Sequence, residues 1–268
     1  MTSRTQTLID QMVALGPLRV WSVIITIFGD FARGPGDSLS AERLRELTGR
    51  MGIRPESLRV ALHRLRKDGW ITTRRCGRSS VYELTAWALS ECNAARARIY
   101  ALAPAAGCDP VFIVSAPPDP GGAASGPDTR LTATAVQIAP RVVLDCVSQR
   151  SGDSPDLVLS AGSADLPDWV RHKVGPPDLV SGYAAFCALL GRVVDHLNTQ
   201  DPSPDERDVF RILTIHRWRQ LLLRHPDLPA EYFPDGWEGE NCRGLVQSIL
   251  AMTPDLVAVS GESASAVT

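Results

Sequence analysis

Residues 55–84 read PESLRVALHRLRKDGWITTRRCGRSSVYEL, and this stretch decides the fold. Pro55 suits the first turn of a helix, where its missing N–H leaves no bond unmade, and Glu56 beside it favours the positive end of the helix dipole. Leu58, Ala61, Leu62 and Leu65 recur at i, i+3, i+4 and i+7, so they share one face. The other faces carry Ser57, Arg59, His63, Arg64, Arg66 and Lys67. Asp68 and Gly69 end the helix. Trp70–Arg75 and Ser80–Leu84 then predict two strands, with Cys76-Gly77-Arg78-Ser79 turning between them.

Upstream, residues 17–32 (PLRVWSVIITIFGDFA) predict a buried helix with Pro17 in its first turn and Val20, Ile24, Ile27, Phe28 and Phe31 at helical spacing. Gly34-Pro35-Gly36-Asp37 predicts a turn. Ser40 is a candidate N-cap for a short helix striped by Leu44 and Leu47 and broken by Gly49 and Gly52. Three helices followed by a basic hairpin form the pattern of a winged helix-turn-helix. Such a domain needs a recognition helix with one buried face and donors projecting from the other into the major groove. The candidate DNA-contacting residues are Arg54, Ser57, Arg59, His63, Arg64 and Lys67 on or beside that helix, and Arg74, Arg75 and Arg78 on the wing. A winged helix used for protein docking would share the core. The arginines, however, concentrate on the two elements that touch DNA.

Charge agrees with this reading. Residues 1–100 carry 16 Arg and Lys against 9 Asp and Glu, while the remaining 168 carry 12 against 21. A basic part joined to an acidic part implies that only the first meets a polyanion. The apolar share of 44% supports a packed core. Cys76, Cys92, Cys108, Cys146, Cys187 and Cys242 are scattered, with no CxxC and no histidine at zinc spacing, so six free thiols are expected and no metal or cofactor is implied. Val20–Phe28 is apolar but too short to span a bilayer before Asp30 and Arg33, and no signal peptide is visible. The expected location is the cytoplasm, with no membrane partner.

Downstream, Thr85 is expected to cap a helix over 86–102, followed by a linker at 103–107. Strands are predicted at 110–116, 131–138, 142–147 and 157–161, with a Pro- and Gly-rich loop at 117–128. Helices are predicted at 167–173, 178–198, 205–225 and 242–252, and the tail at 261–268 is expected to fray.

The segments SVIITIFGDFA (22–32), IRPESLRVALHRLRKDGWI (53–71) and GRSSVYELT (77–85) resemble the PaaX family of repressors of phenylacetate catabolism. IHRWRQLLLRHPDLPAEYFPDGWEGENCRGL (215–245) is similar to that family's C-terminal segment, and TAVQIAPRV (134–142) to a strand and turn of its middle domain. The resemblance implies an α+β protein in three parts: a winged helix-turn-helix over 1–103, a ferredoxin-like, Cas2-like domain over 104–175, and a helical domain over 176–268. It further implies a homodimeric repressor of a catabolic operon, bound to double-stranded operator DNA and released by an aryl-acetyl-CoA such as phenylacetyl-CoA. The insert at 117–128 departs from the family's pattern.

An acyl-CoA site needs cations for phosphates and an apolar slot for the acyl group. Arg217, Trp218, Arg219 and Trp237 are the candidates. The alternative is that both tryptophans are core anchors and the nearby arginines, Arg211 and Arg224 included, pair with Asp205, Asp208, Asp227 and Glu231. The rival class is an enzyme, either a metal-dependent nuclease using Asp109 and Asp145 or a thioester hydrolase pairing a cysteine with His172, His196, His216 or His225. No GxSxG, P-loop or GxGxxG motif is present, so no catalytic residue is assigned.

Overall fold

A computed structural model of the chain describes residues 3–32, 34–76, 79–103, 109–115, 135–147, 156–163 and 166–253. The protein is α+β, and the described residues form two small antiparallel sheets and a larger complement of helices. It divides into two compact units: Met1–Tyr100 with Ala188–Trp218 and Gly244–Thr268, and Ala101–Cys187 with Arg219–Arg243.

The first unit contains α1 (Arg4–Ala14), α2 (Val20–Phe31), β1 (Ser38–Ser40), α3 (Ala41–Arg50), α4 (Pro55–Lys67), β2 (Ile71–Cys76), β3 (Ser79–Leu84) and α5 (Ala86–Ile99). Helix α2 starts at Val20 rather than Pro17, because Arg19 holds the extended N-cap conformation. It buries nearly its whole circumference, as its composition requires. Two caps fall where expected: Ser40 Oγ accepts from the Arg43 amide, and Thr85 Oγ1 from the Ala88 amide. Two elements went unforeseen. Helix α1 is capped by Ser3 and buries Leu8, Ile9 and Met12. Strand β1 pairs Leu39 with Tyr82, making a three-stranded sheet in the order β1-β3-β2.

The core of this unit is completed by residues distant in sequence. They come from α7 (Pro177–Thr199), α8 (Pro204–Leu222) and α9 (Gly239–Met252), helices whose residues are shared between the two units. Asp30 of α2 is buried, accepts from Arg211 Nε and Nη2 at 2.6 and 2.9 Å, and accepts again from the Tyr100 hydroxyl at 2.7 Å. Arg43 and Arg50 of α3 pair with Asp205 at 2.8 and 3.1 Å, and Arg43 also pairs with Asp208. These arginine pairs hold Asp205 below the usual carboxylate range. Helix α7 has the length and mean hydropathy, 1.2, of a helix able to cross a membrane. Its apolar residues Leu179, Tyr183, Phe186, Leu190, Val193 and Leu197 are nonetheless buried in the protein.

The second unit holds β4 (Asp109–Val114), β5 (Val136–Ala139), β6 (Val142–Val147), β7 (Leu157–Ser160) and α6 (Asp168–Val174). Every pairing is antiparallel, in the order β5-β6-β4-β7. Arg141 turns the chain between β5 and β6 at φ 63°, a conformation that glycine adopts more readily. Ile138, Leu144 and Ala161 pack with Val170 and Val174 of α6 and with Leu228, Tyr232 and Phe233, the last two in or beside a short 3-10 turn. The loop expected at 117–128, residues 131–134 of the strand expected at 131–138 and the tail at 261–268 lie outside the described residues. The expectation of six free thiols needs correction: Cys146 on β6 is disulfide-bonded, while among the described residues Cys76, Cys92, Cys187 and Cys242 are free.

Candidate nucleic-acid interface

Helix α4 is held by two glycine turns, one at its approach and one at its exit. Before it, Gly52 stands at φ 75°, the Ile53 amide bonds the Thr48 carbonyl at 3.0 Å and the Gly52 amide bonds Gly49 at 3.0 Å. After it, Gly69 stands at φ 75°, the Trp70 amide bonds the Leu65 carbonyl at 2.9 Å and the Gly69 amide bonds Arg66 at 3.2 Å. Both are Schellman turns, which satisfy the last carbonyls of a helix and fix the direction in which the chain leaves it. The first sets α4 against α3. The second aims the β2–β3 hairpin, and Thr85 Oγ1 secures the same corner by donating to the Gly69 carbonyl at 2.8 Å.

Leu58, Ala61, Leu62 and Leu65 are buried, and α4 packs against α2, α3 and β2. Arg54, Ser57, Arg59, His63, Arg64, Arg66 and Lys67 are all exposed. The structure therefore brings the helix residues named from sequence onto one solvent-facing surface. Arg59 rests on Glu56 at 3.2 Å and Arg64 on Asp68 at 3.4 Å, both pairs in water. Exposed pairs of this kind hold their side chains weakly, so the guanidinium groups can exchange to a stronger anion. Arg74 pairs with Glu83 across the hairpin at 3.0 Å, and Arg75 is exposed. Arg78 lies outside the described residues. Sequence reasoning missed Val60, which is 70% exposed at the centre of the outward face. Its spacing from Glu56, His63 and Lys67 was the available signal.

The four effector candidates are divided between the two units. Arg217 is buried and donates to the carbonyls of Met12, Val13 and Gly16 at 3.2, 2.8 and 2.7 Å, closing the C-terminal end of α1. Trp218 is buried and donates to the Ile99 carbonyl at 2.9 Å. Arg219 is half-buried. Trp237 stacks on Phe233 at 3.8 Å, lies tilted against Tyr183 and makes a T-shaped contact with His225. His225 Nδ1 lies 2.6 Å from the Pro226 carbonyl, which fixes the proton there and leaves Nε2 to accept from the Tyr183 hydroxyl at 2.8 Å.

A model of the PaaX-like protein family matches residues 19–88, and one of the PaaX-like protein C-terminal domain matches residues 177–256, together more than half of the chain. The chain belongs to the PaaX-like family. Among its relatives is the transcriptional repressor PaaX of Escherichia coli (strain K12), 26% identical over 92% of this chain and 84% of that one. An uncharacterized protein from Mycobacterium tuberculosis of known structure is 20% identical, over 88% of this chain and 96% of that one, at a TM-score of 0.46. The first match on this PaaX-like chain runs from α2 into α5 and so contains α4 and the hairpin; the second contains α7, α8 and α9.

The residues considered for catalysis are differently disposed. Asp145 is buried on β6 and accepts from the Cys146 amide at 2.8 Å, whereas Asp109 is exposed. Among the described residues no group of three or more His, Cys, Asp or Glu could hold a metal ion. Cys187 lies beside Asn241 and Glu238, and burial followed by the Glu238 charge pushes its thiol up. Burial pushes Cys242 up further. A raised thiol is a poor nucleophile at neutral pH.

Proposed function

We propose that the chain is a DNA-binding transcriptional repressor and not an enzyme. Its reader is a winged helix-turn-helix within residues 1–103, in which α3 and α4 form the helix-turn-helix, α4 enters the major groove and the β2–β3 hairpin is the wing. The observation that carries the reading is the outward face of α4 with its N-cap, where from Arg54 to Lys67 eight polar residues, five of them arginine or lysine, stand exposed on a helix aimed by two glycine turns. The E. coli relative, named a transcriptional repressor, supports the same reading.

The finer parts of the proposal concern how the repressor works. One recognition helix reads only a few base pairs, too few to single out one operator in a genome, so the working species is a homodimer on an inverted repeat. The acidic remainder lies off the duplex and joins the subunits. Residues 104–175 form its ferredoxin-like, Cas2-like part, supported by the antiparallel order β5-β6-β4-β7, and residues 176–268 its helical part. The effector is an aryl-acetyl-CoA such as phenylacetyl-CoA, the operon catabolic, and the compartment the cytoplasm. Of the four residues considered for the effector, Arg219 and Trp237, which belong to one unit, are proposed to serve its site. The polar atoms of Arg217 and Trp218 are engaged by backbone carbonyls of the other unit, so those two are assigned to its packing. The effector need only favour the DNA-incompetent arrangement, and by linkage DNA then weakens the effector equally.

Gel shift of the full chain on its own upstream DNA, with a panel of acyl-CoAs, tests release, and sedimentation tests the dimer. An aryl-acetyl-CoA is expected to abolish the shifted band, and the free protein to sediment as two chains. A band unmoved by any thioester removes the effector, and a monomer occupying its operator alone removes the dimer. The wing has its own signature. Replacing Arg74 and Arg75 by alanine is expected to weaken binding to all sequences alike, and to lower the slope of log K against log salt by about 0.9 for each phosphate no longer neutralised. A changed sequence preference with an unchanged slope would make the wing a reader of bases instead.

A further inference from the structure

We infer that Val60 is a specificity-determining residue that contacts the C5-methyl group of a thymine in the operator's major groove, an inference that rests on the DNA-reading role proposed for α4. Val60 is 70% exposed on a helix whose other outward residues, from Glu56 to Lys67, are polar or charged. A β-branched residue in water adds nothing to helix propensity and buries no surface there, so the folded chain gains little from it. Its place on the helix is informative. Glu56, His63 and Lys67 lie at i−4, i+3 and i+7 from Val60, all exposed, and the buried stripe of Leu58, Ala61, Leu62 and Leu65 is opposite. Val60 therefore occupies the centre line of the face that would lie deepest in a groove, with Arg59, Arg64 and Lys67 placed to reach past it.

The chemistry of the partner follows from the neighbours. A protein-docking surface needs contiguous apolar area, and on this face Val60 is surrounded by charge. Those charges are mostly positive and suit a polyanion. Within the major groove, the apolar group that base edges present is the thymine methyl. A short side chain with a stiff χ1 cannot search for it, so the contact depends on the depth and register of α4, which the turns at Gly52 and Gly69 fix.

The test uses the full chain and a duplex that it selects from a random-sequence library, with each thymine replaced in turn by uracil, which removes only the methyl. Affinities are read by fluorescence anisotropy for the parent chain, Val60→Ala and Val60→Thr, with circular dichroism as the check on folding. Removing one methyl group from burial corresponds to about a four-fold change in affinity. The parent chain is expected to lose about that factor at one thymine of each half-site. Val60→Ala is expected to lose it on the unmodified duplex and to be indifferent to uracil at that position. Val60→Thr, which keeps a methyl, should retain most of the affinity and the sensitivity. Equal uracil sensitivity in the parent and Val60→Ala at every position, or no sensitive thymine in the parent, overturns the inference while leaving DNA reading intact. Failure of the parent to enrich any sequence overturns both.

Discussion

Replacing Arg211 by alanine is expected to destabilise the protein by about 3–5 kcal/mol, the cost of leaving a buried carboxylate without its counter-charge. Asp30 is 1% exposed and Arg211 3% exposed, and the guanidinium meets both carboxylate oxygens in a bidentate pair. A further nitrogen of Arg211 reaches the Thr253 carbonyl at 2.7 Å. The variant therefore strands Asp30, although the Tyr100 hydroxyl can still donate to it. Removing both charges is the informative comparison. Asp30→Asn with Arg211→Met should recover a large part of the loss, since an apolar and a neutral polar group replace two desolvated ions. Urea unfolding of the parent and both variants measures this. An Arg211→Ala loss below about 1 kcal/mol, the range of an exposed pair, would mean that water reaches the site.

The second large effect is expected on binding. Arg59→Ala and Arg64→Ala should each weaken operator affinity by about 1–3 kcal/mol, roughly five- to 150-fold, because a guanidinium bidentate to a guanine edge is worth that much. Together they should abolish a detectable complex. Stability should move by no more than about 0.5 kcal/mol, since both side chains are exposed and hold only the surface partners Glu56 and Asp68. Anisotropy on the selected duplex and urea unfolding of the same samples separate the two quantities. Unchanged affinity in both variants would assign recognition to another element.

The contrast between these two predictions marks what the sequence made legible. The α4 face and the hairpin are local: their apolar spacing, the Pro55 start and the Gly69 stop lie within a few residues of one another, and expectation and structure agree there. The partner of Arg211 is not local. Asp30 is 181 residues away, and the acids nearer in sequence are otherwise engaged, Asp205 and Asp208 with Arg43 and Asp227 with Arg243. Arg217 likewise closes a helix more than 200 residues upstream, a role no spacing rule reveals. Helix α1 was missed because Leu8, Ile9 and Met12 are a thin stripe among polar residues, and β1 because three residues become a strand only by pairing with β3. Val60 was legible by spacing, but cations mark a DNA-facing surface more plainly than one apolar side chain among them does.

The Asp30–Arg211 pair also bears on how the reader can be tested. α2, against which α4 packs, owes part of its own burial to α8, so the N-terminal residues alone would lack the counter-charge of Asp30 and the His216 partner of Thr26. Binding measurements therefore belong to the full chain.

The most direct test of the central claim is selection of duplex DNA from a random-sequence library by the purified full chain at physiological salt. The expected result is one enriched motif in two inverted half-sites about 10 base pairs apart, centre to centre, as two symmetry-related recognition helices require. Recovery of a pool indistinguishable from the input library would contradict it.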